Sequence, residues 1–260
     1  MNLQLQDKVI LVTGGAKGIG AAIARSLANE AAKVIILDID ASAAQQLAAE
    51  ITSARQTIET IVADLRAPET WSSSIQRTVE RFGRLDVLIN NAGVNDKVGL
   101  ETGNSEKFLE SLSKNLLHVY GMTHAALPHL KASQGSIVNI GSKIAFTGQG
   151  GTSGYAAAKG AITALTREWA AELLPYGIRV NTIVPAEVMT PLYERWLDTF
   201  PNPEQKLQTI LDKIPLGKRM TRDLEIAALV AFLASPQAAH ITAQHLFVDG
   251  GYVHLDRALT

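Results

Sequence analysis

The chain has 260 residues, 24 Lys+Arg against 25 Asp+Glu, and a formal net charge of −1, so no basic field marks a nucleic-acid partner. A cysteine count of 0 excludes disulfides, thiolate catalysis and cysteine-ligated zinc. No apolar run reaches the ~18 residues of a membrane span, and Met1 to Asp7 hold no basic stretch followed by an apolar one, so neither a membrane segment nor a signal peptide is expected, and the expected location is cytoplasmic. In chain order, residues 9–12 predict a buried strand, 19–30 a helix, 34–37 a strand, 41–53 a helix, 58–62 a strand and 68–81 a helix. Residues 87–89 then predict a strand, 105–131 one long helix, 137–140 a strand, 152–174 a helix, and 179–184 and 246–248 the last strands. Alternation of this kind predicts an α/β fold, a single doubly wound Rossmann-type domain over residues 1–260 with helices on both faces of a parallel sheet. Residues 190–216 break the rhythm with Tyr193, Trp196, Phe200 and prolines, and read as an insertion capping the ligand crevice.

The first strand runs into Thr13-Gly-Gly-Ala-Lys-Gly-Ile-Gly20. Glycines let the backbone turn sharply and approach a pyrophosphate, which a helix N-terminus attracts. Gly14, Lys17, Gly18, Ile19 and Gly20 are therefore candidate dinucleotide contacts. The spacing Gly-x-x-x-Gly-x-Gly differs from the common Gly-x-Gly-x-x-Gly fingerprint and is a weak signal alone. Asp38 ends the second strand, where an acid hydrogen-bonds the adenosine ribose of NAD. Lys17 would greet a 2′-phosphate and hints at NADP, but Asp38 would face that phosphate directly, so NAD is the expected cofactor and NADP the weaker alternative. Asp64 and Leu65 follow the third strand, where Asp64 can accept from the adenine amine or cap the next helix. Asn91, Ala92 and Gly93 follow the fourth, where small residues let the backbone lie against the adenosine.

Ser142 follows the fifth strand, on the edge where ligands of such sheets bind. Tyr155 and Lys159 come next, in Tyr-Ala-Ala-Ala-Lys, on one face of a helix. An ammonium beside a phenol favours the phenolate, and a base works best with a pKa near the operating pH. Ser142 would hold the substrate oxygen, and Tyr155 would take or give its proton. Lys159 would lower the Tyr155 pKa and bond the nicotinamide ribose. His118, His124 and His129 do not share a helix face, so no metal site is expected and surface or packing roles are.

With the motifs Thr13 to Gly20, Asn90-Asn-Ala-Gly93, Asn115, Ser142, Tyr155-x-x-x-Lys159 and Pro185 through Thr190, the chain resembles the short-chain dehydrogenase/reductase family over its whole length. The resemblance implies a sheet of about seven parallel strands and a homotetramer paired through the helices at 105–131 and 152–174. It also implies that Asn115 positions a water for proton relay from Lys159, and that Pro185, Val188 and Thr190 sit at the nicotinamide. Ala186 stands where the family usually has Gly, and Gly141 where it often has Ser. Within the family, Asn90 to Asp96, Thr147 to Tyr155, Pro185 to Trp196 and Phe247 to Arg257 are similar to the L-fucose dehydrogenase branch of sugar dehydrogenases. That similarity implies a sugar substrate met by Asn95, Ser142, Lys143, Gln149, Tyr155, Glu187 and Trp196. An NAD(P)-dependent reductase of a 3-oxoacyl or steroid-type carbonyl, and a catalytically silent NAD-binding sensor, are the competing readings.

Overall fold

The structure is a computed structural model and describes residues 2–255. Among these, seven parallel strands form one sheet in the order β3-β2-β1-β4-β5-β6-β7. The strands are β1 Val9–Thr13, β2 Lys33–Asp38, β3 Ile58–Val62, β4 Val87–Asn90, β5 Ser136–Ile140, β6 Arg179–Pro185 and β7 His245–Val248. Every residue of β1, β4 and β5 is buried, as expected of parallel strands covered on both faces.

The helices are α1 Gly18–Asn29, α2 Ala41–Ser53, α3 Glu69–Phe82, α4 Ser105–Leu112, α5 His118–Ser133, α6 Ser153–Leu173, α7 Pro191–Leu197, α8 Pro203–Leu211 and α9 Asp223–Ala234. Ile23 and Leu27 of α1, Leu47 of α2 and Ile226 and Val230 of α9 pack one face of the sheet. Ile75 of α3, Met122 and Leu130 of α5 and Ile162 and Leu173 of α6 pack the other. Each large aliphatic side chain so buried contributes about 1.5–3 kcal/mol. No described helix is long and apolar enough to cross a membrane.

Chain order reverses between β1 and β4, which leave that point toward opposite sides of the sheet. The crevice beyond their carboxyl ends is the switch point at which ligands of open α/β sheets bind. Buried side chains lock this edge. Asn90 donates to Thr123 Oγ1 at 3.1 Å and Asn139 Oδ1 at 2.9 Å, and Asn139 donates to Thr166 Oγ1 at 2.9 Å. These bonds fix the ends of β4 and β5 against α5 and α6.

One expectation fails. Residues 105–131 do not form one regular helix: α4 and α5 are separated by a π-helical turn, Ser113–Leu117, which carries Asn115. Single π-turns cluster at functional sites because they re-aim a side chain at the cost of regular i→i−4 bonding. The 190–216 segment forms α7 and α8, each with Pro in its first turn and a side-chain cap, Thr190 for one and Asn202 for the other.

Candidate active site

A cavity of about 640 Å³ runs along the carboxyl edge of the sheet. One end lies between the β1–α1 turn and the ends of β2 and β3. Gly14 and Gly18 have φ of +62° and +52°, a region that side chains with a Cβ rarely adopt. A Cβ on Gly20 would lie 2.0 Å from the Gly14 main-chain oxygen. The turn therefore requires glycine, and it exposes the α1 N-terminus, which no side chain caps. Free amides and the helix dipole at that point suit a pyrophosphate. Asn91 clamps the turn from below, donating to the Thr13 and Gly14 main-chain oxygens at 3.0 and 2.8 Å.

Asp38 closes this end. Its carboxylate accepts from the Ala16 and Asp40 amides at 2.9 and 3.0 Å, which aims it and leaves lone pairs for a ribose diol. Lys17 pairs with Asp40, and Arg66 pairs with Asp64, donating from Nε at 2.9 Å. Both cations here are thus already neutralised. Trp71 packs against Gly121 of α5 and donates to the Leu65 main-chain oxygen at 2.9 Å, which holds the Asp64-Leu65 loop at the cavity wall. These features fit a nicotinamide dinucleotide: a glycine cradle, an open helix N-terminus and an aimed acid one strand away.

The other end holds Ser142, Tyr155 and Lys159 in one wall. Ser142 caps a short 3₁₀ turn after β5, and Tyr155 and Lys159 project from the first turns of α6. Lys159 is 2 % exposed and donates to the Ile140 main-chain oxygen at 2.7 Å. Its Nζ stands 5.6 Å from the centre of the Tyr155 ring. Asn115, fully buried, accepts from the Val94 amide at 2.7 Å and donates to the Ser111 main-chain oxygen at 3.0 Å. It thereby pins the chain beside Gly93, where a Cβ would come within 3.4 Å of Lys159 Nζ.

Burial pushes the Tyr155 phenol up to about 12, and a hydrogen bond with Ser142 opposes the shift. Burial lowers the Lys159 ammonium to about 8. The expected lowering by Lys159 is not what sets the direction here: burial raises the phenol, and the interaction that opposes it is the Ser142 hydrogen bond. A phenol, an ammonium and a hydroxyl gathered at the end of a dinucleotide-shaped cavity can pass a proton to or from an alcohol oxygen.

Residues 14–253 match the family model described as Enoyl-(Acyl carrier protein) reductase. The L-fucose dehydrogenase of Bos taurus is 37% identical over 96% of this chain and 91% of its own. The chain belongs to the short-chain dehydrogenase/reductase family. As a member it is an oxidoreductase. The crystal structure of Cj0485 dehydrogenase superposes with a TM-score of 0.94 at 44% identity, covering 100% of this chain and 99% of that one. The 3-ketoacyl-(acyl-carrier-protein) reductase from Brucella melitensis, solved complexed with NADH, gives a TM-score of 0.86 at 34% identity, covering 96% and 100%.

For a short-chain dehydrogenase/reductase the cofactor residues read from the sequence assemble well. Gly14, Lys17, Gly18, Ile19, Gly20, Asp38, Asp64, Leu65, Asn91, Ala92, Gly93, Tyr155, Lys159, Pro185, Val188 and Thr190 all line the one cavity. Of the expected sugar contacts, Ser142 and Tyr155 line it too, and the other five do not. Asn95, Lys143, Gln149, Glu187 and Trp196 are absent from its wall. Lys143 and Glu187 form an ion pair with each other, their side chains 11% and 13% exposed. Asn95 accepts from the Lys97 amide at 3.2 Å in a local turn, and Gln149 is exposed. Trp196 meets Tyr193 and Phe200 edge to face at ring distances of 5.0 and 4.9 Å. Asp256 and Arg257 lie outside the described residues.

Tyr193 takes their place at the wall. Burial raises its pKa, reinforced by the Glu187 charge and a hydrogen bond to that carboxylate. Sequence reasoning also missed Lys114, Arg195 and His118, which line the cavity. His118 is buried, not a surface residue. No group of three His, Cys, Asp or Glu residues able to hold a metal ion occurs among the described residues.

Proposed function

We propose that the protein oxidises a hydroxyl of an aldose, L-fucose or a close relative, to the lactone with NAD. The observation that carries the oxidation chemistry is the Ser142, Tyr155 and Lys159 wall at one end of a cavity whose other end is Asp38. Bound NAD would supply the hydride acceptor. Ser142 holds the substrate oxygen, Tyr155 takes its proton, and Lys159 stabilises the phenolate that must form for that transfer. Asn115 keeps Gly93 and Lys159 in register through its two backbone bonds.

The NAD preference is supported by charge at the ribose end. Asp38, Asp40 and Asp64 face Lys17 and Arg66, and both cations are already paired. A 2′-phosphate would meet an uncompensated Asp38. The sugar reading is supported by the resemblance to the bovine enzyme and by the polar wall of Ser142, Tyr155 and Tyr193, backed by the Lys143–Glu187 pair. The Brucella relative keeps reduction of an acyl carbonyl as the second reading. A screen at the NADH absorbance band of aldoses, secondary alcohols, steroids and acyl thioesters tests it. Turnover of an aldose with NAD is expected. Turnover of a ketoacyl thioester and of no aldose would discard the sugar reading.

A further inference from the structure

Where α5 begins, immediately after the π-turn, His118 is 1 % exposed. Its Nε2 lies 3.1 Å from the Lys114 main-chain oxygen. A carbonyl oxygen can only accept, so Nε2 carries the hydrogen and Nδ1 is a bare acceptor. That Nδ1 is buried and has no hydrogen-bond partner among the described residues. A buried acceptor left unmatched costs stability, and natural structures satisfy such atoms with protein or with ordered water. His118 also forms part of the wall that holds Lys159. Burial, with the Lys159 charge adding to it, holds the imidazole down at about 4, so it stays neutral near pH 7.

Around this ring the charged groups are few. Lys159 acts from α6, and Lys114, on the ring's own π-turn, pairs with Glu110 at 2.7 Å. On the α3 side the packed group is Trp71, which lies against Gly121 one turn along α5. Among the described residues no donor meets Nδ1. A water is the donor whose size and polarity suit such a site, and His118 and Lys159 line the same cavity wall.

We propose that His118 is a positioning residue of the proton relay: its Nδ1 accepts from the water that carries protons between Lys159 and solvent. The ring is anchored through Nε2 to Lys114, which fixes the direction of Nδ1. His118 takes no proton itself. The water donates one hydrogen to Nδ1 and uses its other hydrogen and lone pairs to relay between Lys159 and the next water. This rests on the dehydrogenase reading, in which Tyr155 and Lys159 move the substrate proton.

Two substitutions separate the two ring nitrogens. His118→Asn places an amide oxygen near the Nδ1 position and abandons the anchor. His118→Gln reaches the Nε2 position and can keep the anchor but offers no acceptor at Nδ1. The relay role predicts that His118→Asn keeps kcat within about twofold, whereas His118→Gln and His118→Leu lose about tenfold, the worth of one net hydrogen bond. The loss falls on kcat, with a larger solvent deuterium isotope effect, while the dissociation constant for NADH from fluorescence stays unchanged. The opposite order, Gln active and Asn impaired, would show an anchor alone and overturn the relay role, as would three variants of unchanged kcat. Nitrogen-15 NMR of the free protein gives a reading independent of turnover: Nε2 protonated and Nδ1 an unprotonated, hydrogen-bonded acceptor. A protonated Nδ1 overturns the proposal. If His118→Leu does not fold, the Asn and Gln pair still decides. Wild-type protein that oxidises no alcohol with either nicotinamide dinucleotide would take down the proposed function, and the relay with it. A failure confined to the His118 series would leave that function standing.

Discussion

The ammonium of Lys159 donates to the main-chain oxygen of Ile140 at 2.7 Å, at the end of β5, while burial lowers its pKa to about 8. A cation with a depressed folded pKa opposes folding below that pKa, and the cost is relieved as pH rises from about 8 toward its ordinary 10.5. Lys159→Met should therefore be more stable relative to wild type at pH 7 than at pH 10. The difference between the two pH values should be about 2 to 3 kcal/mol, at 1.36 kcal/mol per unit. Urea titrations of both proteins at the two pH values measure it. A pH-independent difference would mean that Lys159 is solvated.

Tyr155→Phe removes the proton carrier and leaves the ring packing intact. Turnover should fall by about 10²–10⁴-fold, the usual contribution of a general acid–base group, while the cofactor still binds. The phenol held near 12 is ionised only at high pH, so oxidation by the wild type should accelerate from neutral into alkaline buffer. Steady-state rates and cofactor titration check both. A Phe variant retaining more than a tenth of the rate would remove Tyr155 from the chemistry.

Asp38→Ala should raise kcat/KM with NADP, and adding Asp40→Ala should raise it further by freeing Lys17 for a phosphate. The wild type should prefer NAD. A wild-type kcat/KM in favour of NADP would reverse the assignment and make Lys17 the determinant.

Lys143 and Glu187 form a nearly buried pair beside the catalytic wall. Breaking it with Glu187→Leu leaves the Lys143 ammonium buried with only the Tyr252 ring, 4.0 Å from its centre, to face it, and should cost about 3 kcal/mol. The double variant Lys143→Met with Glu187→Leu should recover most of that stability, because both desolvation costs disappear together. Thermal and urea unfolding measure the cycle. Equal losses in the single and double variants would contradict the pairing.

The expected homotetramer can be checked by light scattering at micromolar concentration. Closed assemblies of identical chains favour two-fold axes, so a dimer or a dihedral tetramer is expected. Tyr120 on α5 is 55 % exposed and Leu117 beside it 52 %, apolar surface on the helix expected at the interface. A monomer would rule out the assembly.

The α/β class, the order of elements and the residues that line the carboxyl-edge cavity were legible in the sequence because each is local. An all-apolar run reads as a covered strand, a glycine turn opens a helix, and an i, i+4 spacing puts Tyr155 and Lys159 on one face. Ser142 was equally legible, since the end of a strand is an edge of the sheet wherever that strand lies. Tertiary structure decided what depends on water and on partners distant in sequence. The π-turn at Asn115 has no signature in hydrophobic spacing. Lys143 and Glu187 look like free polar groups until folding brings them together and they satisfy each other. His118 could be a surface or a packing histidine by sequence, and only folding buries it in the wall that holds Lys159. The Tyr155 pKa follows the same rule: helical spacing brings Lys159 close, but only packing removes water from the phenol, and that burial sets the direction of its shift.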